Sequence, residues 1–455
     1  FNLSRMFFFR HYLSETTADT VKLIREIGHR WTAGWGFMED EIISISHTLT
    51  NIQAGYKICK KEDLNNNQIA TKPIFIVANG PSFDQSVAFL QNNSDNIIIV
   101  SCGTGLKALL KNNIKPDIHI EMERTAALLP YIEAIEKQQE DQAIKLKDIQ
   151  IIALNTVYTK LLNKFKTPLL LTKLNDAGGK LIQQYDALNM YAAPDYSNPT
   201  VSNTALAVVT SLGFKNVYLV GVDLGYKSSE QHHSKDSIYY DEGFDSTVTM
   251  TEDMKVEGNL CKSVYTTPIF DMSRGNIEML LELNSDVTVH NCSDGAKIKG
   301  CTPQPLSELN NFSEFTDKEL VLEALLASSS DNKQFSVKKL DRAISKSFKE
   351  VKVILEELMK FVNGKVENRN DLSEAFHLQN KLLMKLKSRD EYKVSYWLVQ
   401  GTFRYFQAYI MTNCYYYDDP AEQKAFIAFC LKEFSKHIND LYNELVSSYN
   451  KPSKV

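Results

Sequence analysis

No stretch of this chain approaches the roughly 20 apolar residues that a bilayer-spanning helix needs, so insertion into a membrane is not expected. A secretory signal pattern is missing as well. The seven cysteines, Cys59, Cys102, Cys261, Cys292, Cys301, Cys414 and Cys430, never form a C-x-x-C pair and are odd in number. That usage reads as reduced thiols in a cytoplasmic protein rather than as a disulfide framework. A basic excess is lacking too: the net charge of −5 and a pI near 6.1 argue against a dedicated nucleic-acid binder. There is no repeat at solenoid period and no low-complexity tract. With 43% apolar and 24% charged residues, the composition is that of a folded globular protein. The chain starts at Phe1 rather than Met, which leads us to expect residues upstream.

The 455 residues exceed one ordinary domain, and three blocks can be read. Residues 1–68 are helical in pattern, with Leu23, Ile24, Ile27 and Trp31 on one face, and end in a polar linker from Lys60 to Asn67. Residues 69–310 alternate strand-like runs (FIVAN, NIIIVS, PDIHIEM, IQIIALN, TPLLLT, KNVYLVGVDL, DVTVHNC) with amphipathic helices, the pattern of parallel strands with crossover helices. Residues 311–455 hold almost no Gly or Pro before Pro420, so long helices are expected. The fold class is therefore α/β, a central Rossmann-like sheet domain flanked by a helical N-terminal segment and a helical C-terminal domain.

Two strand ends stand out. The run Lys72 to Ser82 stops abruptly in Asn79-Gly80-Pro81-Ser82, small residues with exposed backbone N–H groups where open α/β sheets bind nucleotides. The segment from Pro199 to Tyr226 reads as polar cap, helix, turn and strand, again with a Gly/Asp end. Gly103-Thr104-Gly105 followed by Ala108, with Glu121 and Glu123 beyond, fits a dinucleotide fingerprint. An ordinary strand-to-helix turn, where Gly lets the helix pack closely, explains the same residues.

Together, VANGPS, SCGTGLKALLKNNIKPDIHIEMER, PTVSNTALAVVTSLGFKNVYLVGVDLGY, HHSKDSIYYDE, VYTTPIFDMSRGNIE and NCSDGAKIKG resemble the motility accessory factor (Maf) family of flagellin glycosyltransferases, which carry the DUF115 or MptE-like domain. More distantly they resemble bacterial sialyltransferases, so the sheet domain is expected to be sialyltransferase-like. The resemblance implies transfer of pseudaminic or legionaminic acid from its CMP form to Ser or Thr of flagellin in the cytoplasm. The partners it implies are flagellin and a CMP-nonulosonic acid; it implies no nucleic acid and no resident cofactor, and a metal is not expected to be required.

For such a donor, backbone N–H groups and helix N-termini can hold the phosphate. In the sialyltransferases the matching Asn-Gly-Pro-Ser contacts the nucleotide, which implies that role for Asn79, Gly80, Pro81 and Ser82. Gly103 and Thr104 are expected beside them. Thr200, Ser202, Asn203 and Thr204 either complete the cradle or simply cap a helix. Asp223 meets a ribose hydroxyl or serves as a turn residue. The donor carboxylate calls for a cation, for which Arg274, Arg124, Lys297 and Lys299 are candidates.

For the base the resemblance and the residues diverge. Where sialyltransferases keep a histidine this chain has Asp271, whereas His232 and His233 lie in the loop after Asp223, near Asp236, Tyr239 and Tyr240. Either group could act. Asp236 and Asp241 match no firm metal-ligand spacing. Aromatics crowd the C-terminal helices, Tyr396-Trp397, Phe403, Tyr405-Phe406, Tyr409 and Tyr415-Tyr416-Tyr417, mostly as core with a remainder suited to a protein interface. Two other classes stay open: a 6-hydroxymethyl-dihydropterin diphosphokinase, although a Walker lysine is absent, and a non-enzymatic flagellin-binding chaperone.

Overall fold

In the computed structural model the described residues are 11, 15, 18–20, 36–61, 71–139, 144–185, 190–241, 250–309, 312–327, 337–364 and 366–449. The expected helical face Leu23 to Trp31 and most of the linker after Lys60 fall outside them. The chain divides into two units, Phe1–Trp35 and Gly36–Val455. In the first, His11, Glu15 and residues 18–20 are helical; every element named below belongs to the second.

The strands are β1 (Lys57–Ile58), β2 (Ile74–Val77), β3 (Ile98–Cys102), β4 (Ile118–Glu121), β5 (Gln150–Leu154), β6 (Pro168–Leu171), β7 (Asn216–Val220), β8 (Met254–Glu257), β9 (Ser263–Thr266), β10 (Thr288–Asn291) and β11 (Thr302–Pro303), of which β2 to β7 are short runs of mostly buried residues. Alternation decides which face each side chain joins. Ile74 and Ile76 of β2 enter one core and Phe75 and Val77 the other, so the sheet is covered on both sides, as parallel sheets require. Nine strands pair in the order β1-β6-β5-β4-β3-β2-β7-β10-β11, and each pair is parallel. All seven strands expected from the sequence are present. The two-residue edges β1 and β11 and the separate antiparallel hairpin β8–β9 are additions that no periodic run announced.

From β2 the chain steps outward through β3, β4, β5 and β6, then returns to lay β7 against the other side of β2. Strand order thus reverses between β2 and β7, and the crevice outside their carboxyl ends is where ligands of open α/β sheets bind.

The helices used below are α1 (Met38–Gln53), α2 (Gly105–Lys111), α3 (Leu128–Gln138), α4 (Ala177–Tyr185), α5 (Val201–Ser211), α6 (Pro268–Leu283), α7 (Val337–Lys360), α8 (Arg369–Lys387), α9 (Lys393–Asn413) and α10 (Pro420–Ser448). Start signals are local. Pro420 occupies the first turn of α10 and the Asp419 carboxylate accepts from the N–H groups of Ala421 and Glu422, both at 2.9 Å, which satisfies otherwise orphaned donors. One continuous apolar core joins Ile42, Ile45 and Leu49 of α1, Ile151 of β5, and Phe403 and Phe434 of α9 and α10. Helix α1 is therefore the wedge between sheet and C-terminal helices. Among the described residues no helix is long and apolar enough to cross a membrane.

A buried charged node fixes α1 to the carboxyl edge of the sheet. The Arg124 guanidinium, just past β4, donates to the Asp40 carbonyl at 2.7 Å and lies 3.6 Å from Asp176 and 4.0 Å from Glu41. Glu41 and Asp176 are almost fully buried. Glu41 also accepts from the Ala177 N–H at 2.6 Å, and Asp176 from that of Gly179 at 3.1 Å, so both carboxylates cap α4. Burial, reinforced by the neighbouring Asp176 charge, raises the Glu41 carboxyl to about 8. Removing the arginine would leave two acids in a dry site. Arg124→Met is expected to lower unfolding free energy by about 3–5 kcal/mol, read as a fall in the urea midpoint; a change below about 1 kcal/mol, the range of exposed pairs, would contradict the node's role.

Candidate active site

Close backbone approach builds the crevice. Beyond the paired strands, Ala78 N–H donates to the Val220 carbonyl at 2.9 Å and Gly80 N–H to the Gly221 carbonyl at 2.8 Å. A β-carbon on Gly80 would lie 2.0 Å from the Asp223 carboxylate and 2.6 Å from the Gly221 carbonyl. Gly221 has φ +65, and a β-carbon there would meet the Ala78 carbonyl at 2.5 Å. Only glycine at both positions lets the two strand ends converge.

Convergence brings Asp223 onto the Asn-Gly-Pro-Ser turn. Its carboxylate accepts from the Ser82 hydroxyl at 2.8 Å and the Ser82 N–H at 3.3 Å. Burial raises this carboxyl to about 7 despite those two bonds, because desolvation disfavours the anion. From behind, Ala296 N–H donates to the Asp223 carbonyl at 2.7 Å, the Ser293 hydroxyl accepts from the Val222 N–H at 2.9 Å, and a β-carbon on Gly295 would overlap the Asp223 carbonyl at 2.0 Å. The Asn291 to Ala296 turn thus holds Asp223 in place.

Asn79 forms the opposite wall. Its amide donates to the Ser237 hydroxyl at 2.6 Å and to Thr104 at 3.2 Å. Its Oδ1 is buried and has no hydrogen-bond partner among the described residues, a cost that a ligand donor could offset.

The loop after Asp223 folds back over this mouth. Ser234 N–H donates to the Asn79 carbonyl at 3.0 Å and its hydroxyl to Asp84 at 2.6 Å. His233 stacks on Tyr239 at 3.9 Å with 9° between the rings, while the backbone N–H groups of His232 and His233 both donate to the Tyr240 hydroxyl, at 3.0 and 3.1 Å. The two histidines differ. His232 Nδ1 lies 2.8 Å from the Ser229 carbonyl, whereas His233 Nδ1 is buried without a partner among the described residues. Burial, and then the adjacent His232, lower His233 to about 3, so its imidazole is neutral at physiological pH.

Sequence reasoning also missed residues that shape this mouth. Ser237, besides accepting from Asn79, caps the Ile238–Tyr240 turn. Lys107 of α2 is buried and pairs with Asp241, and the Tyr131 hydroxyl of α3 donates to the Thr104 carbonyl at 3.2 Å. A lysine within the apolar run Gly105-Leu106-Lys107-Ala108-Leu109-Leu110 was the one signal available. Its partner is 134 residues away.

Other expected residues lie in different surroundings. Gly103, at φ +45, packs 3.1 Å from Val201, and Gly105 sits 3.1 Å from the Val77 carbonyl, in each case measured from a β-carbon placed there. Close helix packing accounts for both glycines. Thr200 caps α5 with Asn203, and Asn203 is further bound to Ser273 of α6 at 2.6 and 2.9 Å. Thr204 donates to the Ser197 carbonyl at 2.6 Å. Of those four, Thr200 and Ser202 keep partial exposure while Asn203 and Thr204 are fully buried.

Asp271, buried in the first turn of α6, is paired with Arg274 at 2.6 Å, and Arg274 reaches Glu278 at 3.1 Å. Arg124 belongs to the charged node, and Lys297 and Lys299 pair with Glu257 at 2.7 Å and Glu282 at 3.5 Å on the surface. Asp236 lies 2.6 Å from Lys111. Among the described residues no three His, Cys, Asp or Glu side chains cluster as a metal site. Of the C-terminal aromatics, Tyr396 and Phe403 are core, while Tyr405, Tyr409, Tyr415 and Tyr416 are exposed.

Comparison with known proteins places this geometry in context. Residues 46–229 match the family model described as 6-hydroxymethylpterin diphosphokinase MptE-like. None of the curated proteins matches the chain significantly. Among solved structures, the Maf glycosyltransferase from Magnetospirillum magneticum AMB-1 superposes with a TM-score of 0.70 over 96% of this chain, at 23% identity. The chain spans 64% of that protein's length. Residues 46–229 are thus similar to the MptE-like family, in a chain whose fold is similar to that of the Maf glycosyltransferase.

Proposed function

We propose that the chain is a glycosyltransferase that moves a nonulosonic acid, pseudaminic or legionaminic, from its CMP-activated form to Ser or Thr hydroxyls of flagellin. The observation that carries this reading is the buried Asn79 Oδ1, which has no partner among the described residues, at the switch point with the buried Asp223 carboxylate and a neutral His233. A nucleoside brings amine and hydroxyl donors to such acceptors. The likeness to the Maf glycosyltransferase supports the reaction class at the level of fold.

In this reading Asn79 and Asp223 hold the nucleoside, and the phosphate lies beside the Asn79 to Ser82 turn. His233, its ring fixed by Tyr239, accepts the proton of the attacking hydroxyl through Nδ1. Arg274 already neutralises Asp271, which favours His233 over it as the base, and the bond of His232 Nδ1 to Ser229 favours His233 over its neighbour. His233→Ala should lower flagellin modification, read by intact mass, by roughly 10²–10⁴ while CMP binding stays near wild type. Wild-type transfer by that variant would remove His233 from the mechanism. Because burial keeps this imidazole neutral, the rate is not expected to fall on acidifying toward about pH 6, as an ordinary histidine's would.

The family description favours a second reading, a pterin diphosphokinase using ATP and Mg²⁺. Ligands separate the two. CMP should raise the melting temperature, by ~2.7 kcal/mol of linkage at ~100-fold excess over Kd, and transfer should survive EDTA. A shift with ATP and Mg²⁺ but none with CMP, or activity abolished by chelation, would favour the diphosphokinase.

The Asp223 carboxyl adds a pH signature. Raised to about 7, it accepts more strongly from ribose hydroxyls once ionised, so CMP affinity should climb, by up to about tenfold, between roughly pH 6 and 8. Asp223→Asn should flatten that dependence. A flat wild-type profile would separate Asp223 from the nucleotide.

A further inference from the structure

Away from the sheet edge, α4, α7 and the turn before α9 enclose a trough of about 940 Å³. Lys180, Lys339, Arg342, Lys346 and Lys393 line it against three carboxylates, on a chain whose net charge is −5. Lys393 lies 2.5 Å from Asp390 and Lys346 3.6 Å from Glu350, and Lys339 has a partner of its own. Lys180 donates to the neutral Gln183 at 2.8 Å, and Arg342 is exposed with no ion pair or hydrogen bond among the described residues. Lys180 is also pushed below its ordinary value, first by burial and then by Lys393. Like charges held together in a concavity favour an anion there.

The trough shares Glu350 with a second depression of about 450 Å³, lined by the apolar Val353, Ile354 and Leu386 together with Lys349, Lys385 and Arg389. Val353 is 55% exposed. Cations beside apolar side chains match an amphipathic segment with acidic and apolar residues on alternate turns. Carboxylates interspersed along the floor disfavour the continuous phosphates of a nucleic acid, and a concave site disfavours a flat lipid surface. The chain's own residues 1–35 carry Arg5, Arg10, Lys22, Arg25 and Arg30 against Glu15, Asp19 and Glu26. Their excess is positive and does not complement the trough.

We propose that this composite trough is a docking site for an acidic amphipathic segment of a partner protein. The site is separate from the sheet edge and stands whether or not that edge transfers a sugar. The test uses the full chain and a fluorescent peptide whose Glu and Leu residues alternate in helical phase, followed by anisotropy. Saturable binding is expected, weakened at least about tenfold by Arg342→Glu with Lys346→Glu and by raising salt from ~0.05 to ~0.3 M. Both side chains are exposed, so circular dichroism should be unchanged; Arg342→Gln should give a smaller loss in the same direction. Equal binding by wild type and variants overturns the proposal. So does preference for phosphatidylserine vesicles or a uridine oligomer over the peptide, or self-association that Arg342→Glu abolishes in the absence of peptide binding.

Discussion

The convergence of β2 and β7 past their last paired residues is the constraint on which the site depends. Two glycines, Gly80 and Gly221, allow a backbone bond of 2.8 Å between them, and that closeness carries Asp223 onto the Ser82 turn. Any larger residue would force the strand ends apart and separate the carboxylate from its donors. The energetic consequence is a buried acid held by two hydrogen bonds from Ser82, poised near neutrality. Burying such a group is costly, and a ligand with hydroxyl donors relieves part of the cost.

The rest of the molecule acts by holding that edge. The turn from Asn291 to Ala296 buttresses Asp223 from behind, and the loop carrying His233 is tied to Asn79 and Asp84 in front. Farther along the same edge, the Arg124 node fixes α1, and α1 shares its core with α9 and α10. Sheet and C-terminal helices are consequently coupled through α1, and α4 packs directly against α9 as well. The basic trough lies on the C-terminal side of that coupling.

The α/β architecture was legible because buried parallel strands leave short apolar runs bounded by turn residues, and each of the seven runs became a strand. Edge strands of two residues have no period to detect, so β1 and β11 were not legible. The mouth at Asn79 to Ser82 could be read because the strand ends there in small residues. The environment of each polar side chain could not. Asn203 and Thr204 look like a cradle in sequence, yet they clamp α5 to α6 and to the Ser197 carbonyl. The Asp271 and Arg274 pairing was available from their i,i+3 spacing. By contrast, Asn79 meets Ser237 across 158 positions, a contact that only the fold creates.

The central claim is one of location, that a cytidine nucleotide sits in the crevice between β2 and β7. Amide hydrogen exchange with and without CMP tests it most directly. The account predicts added protection confined to residues 78–82, 221–223 and 233–239, where backbone N–H groups line the crevice or close over it. Protection absent from those segments, or concentrated instead on α4 and α7, would contradict it.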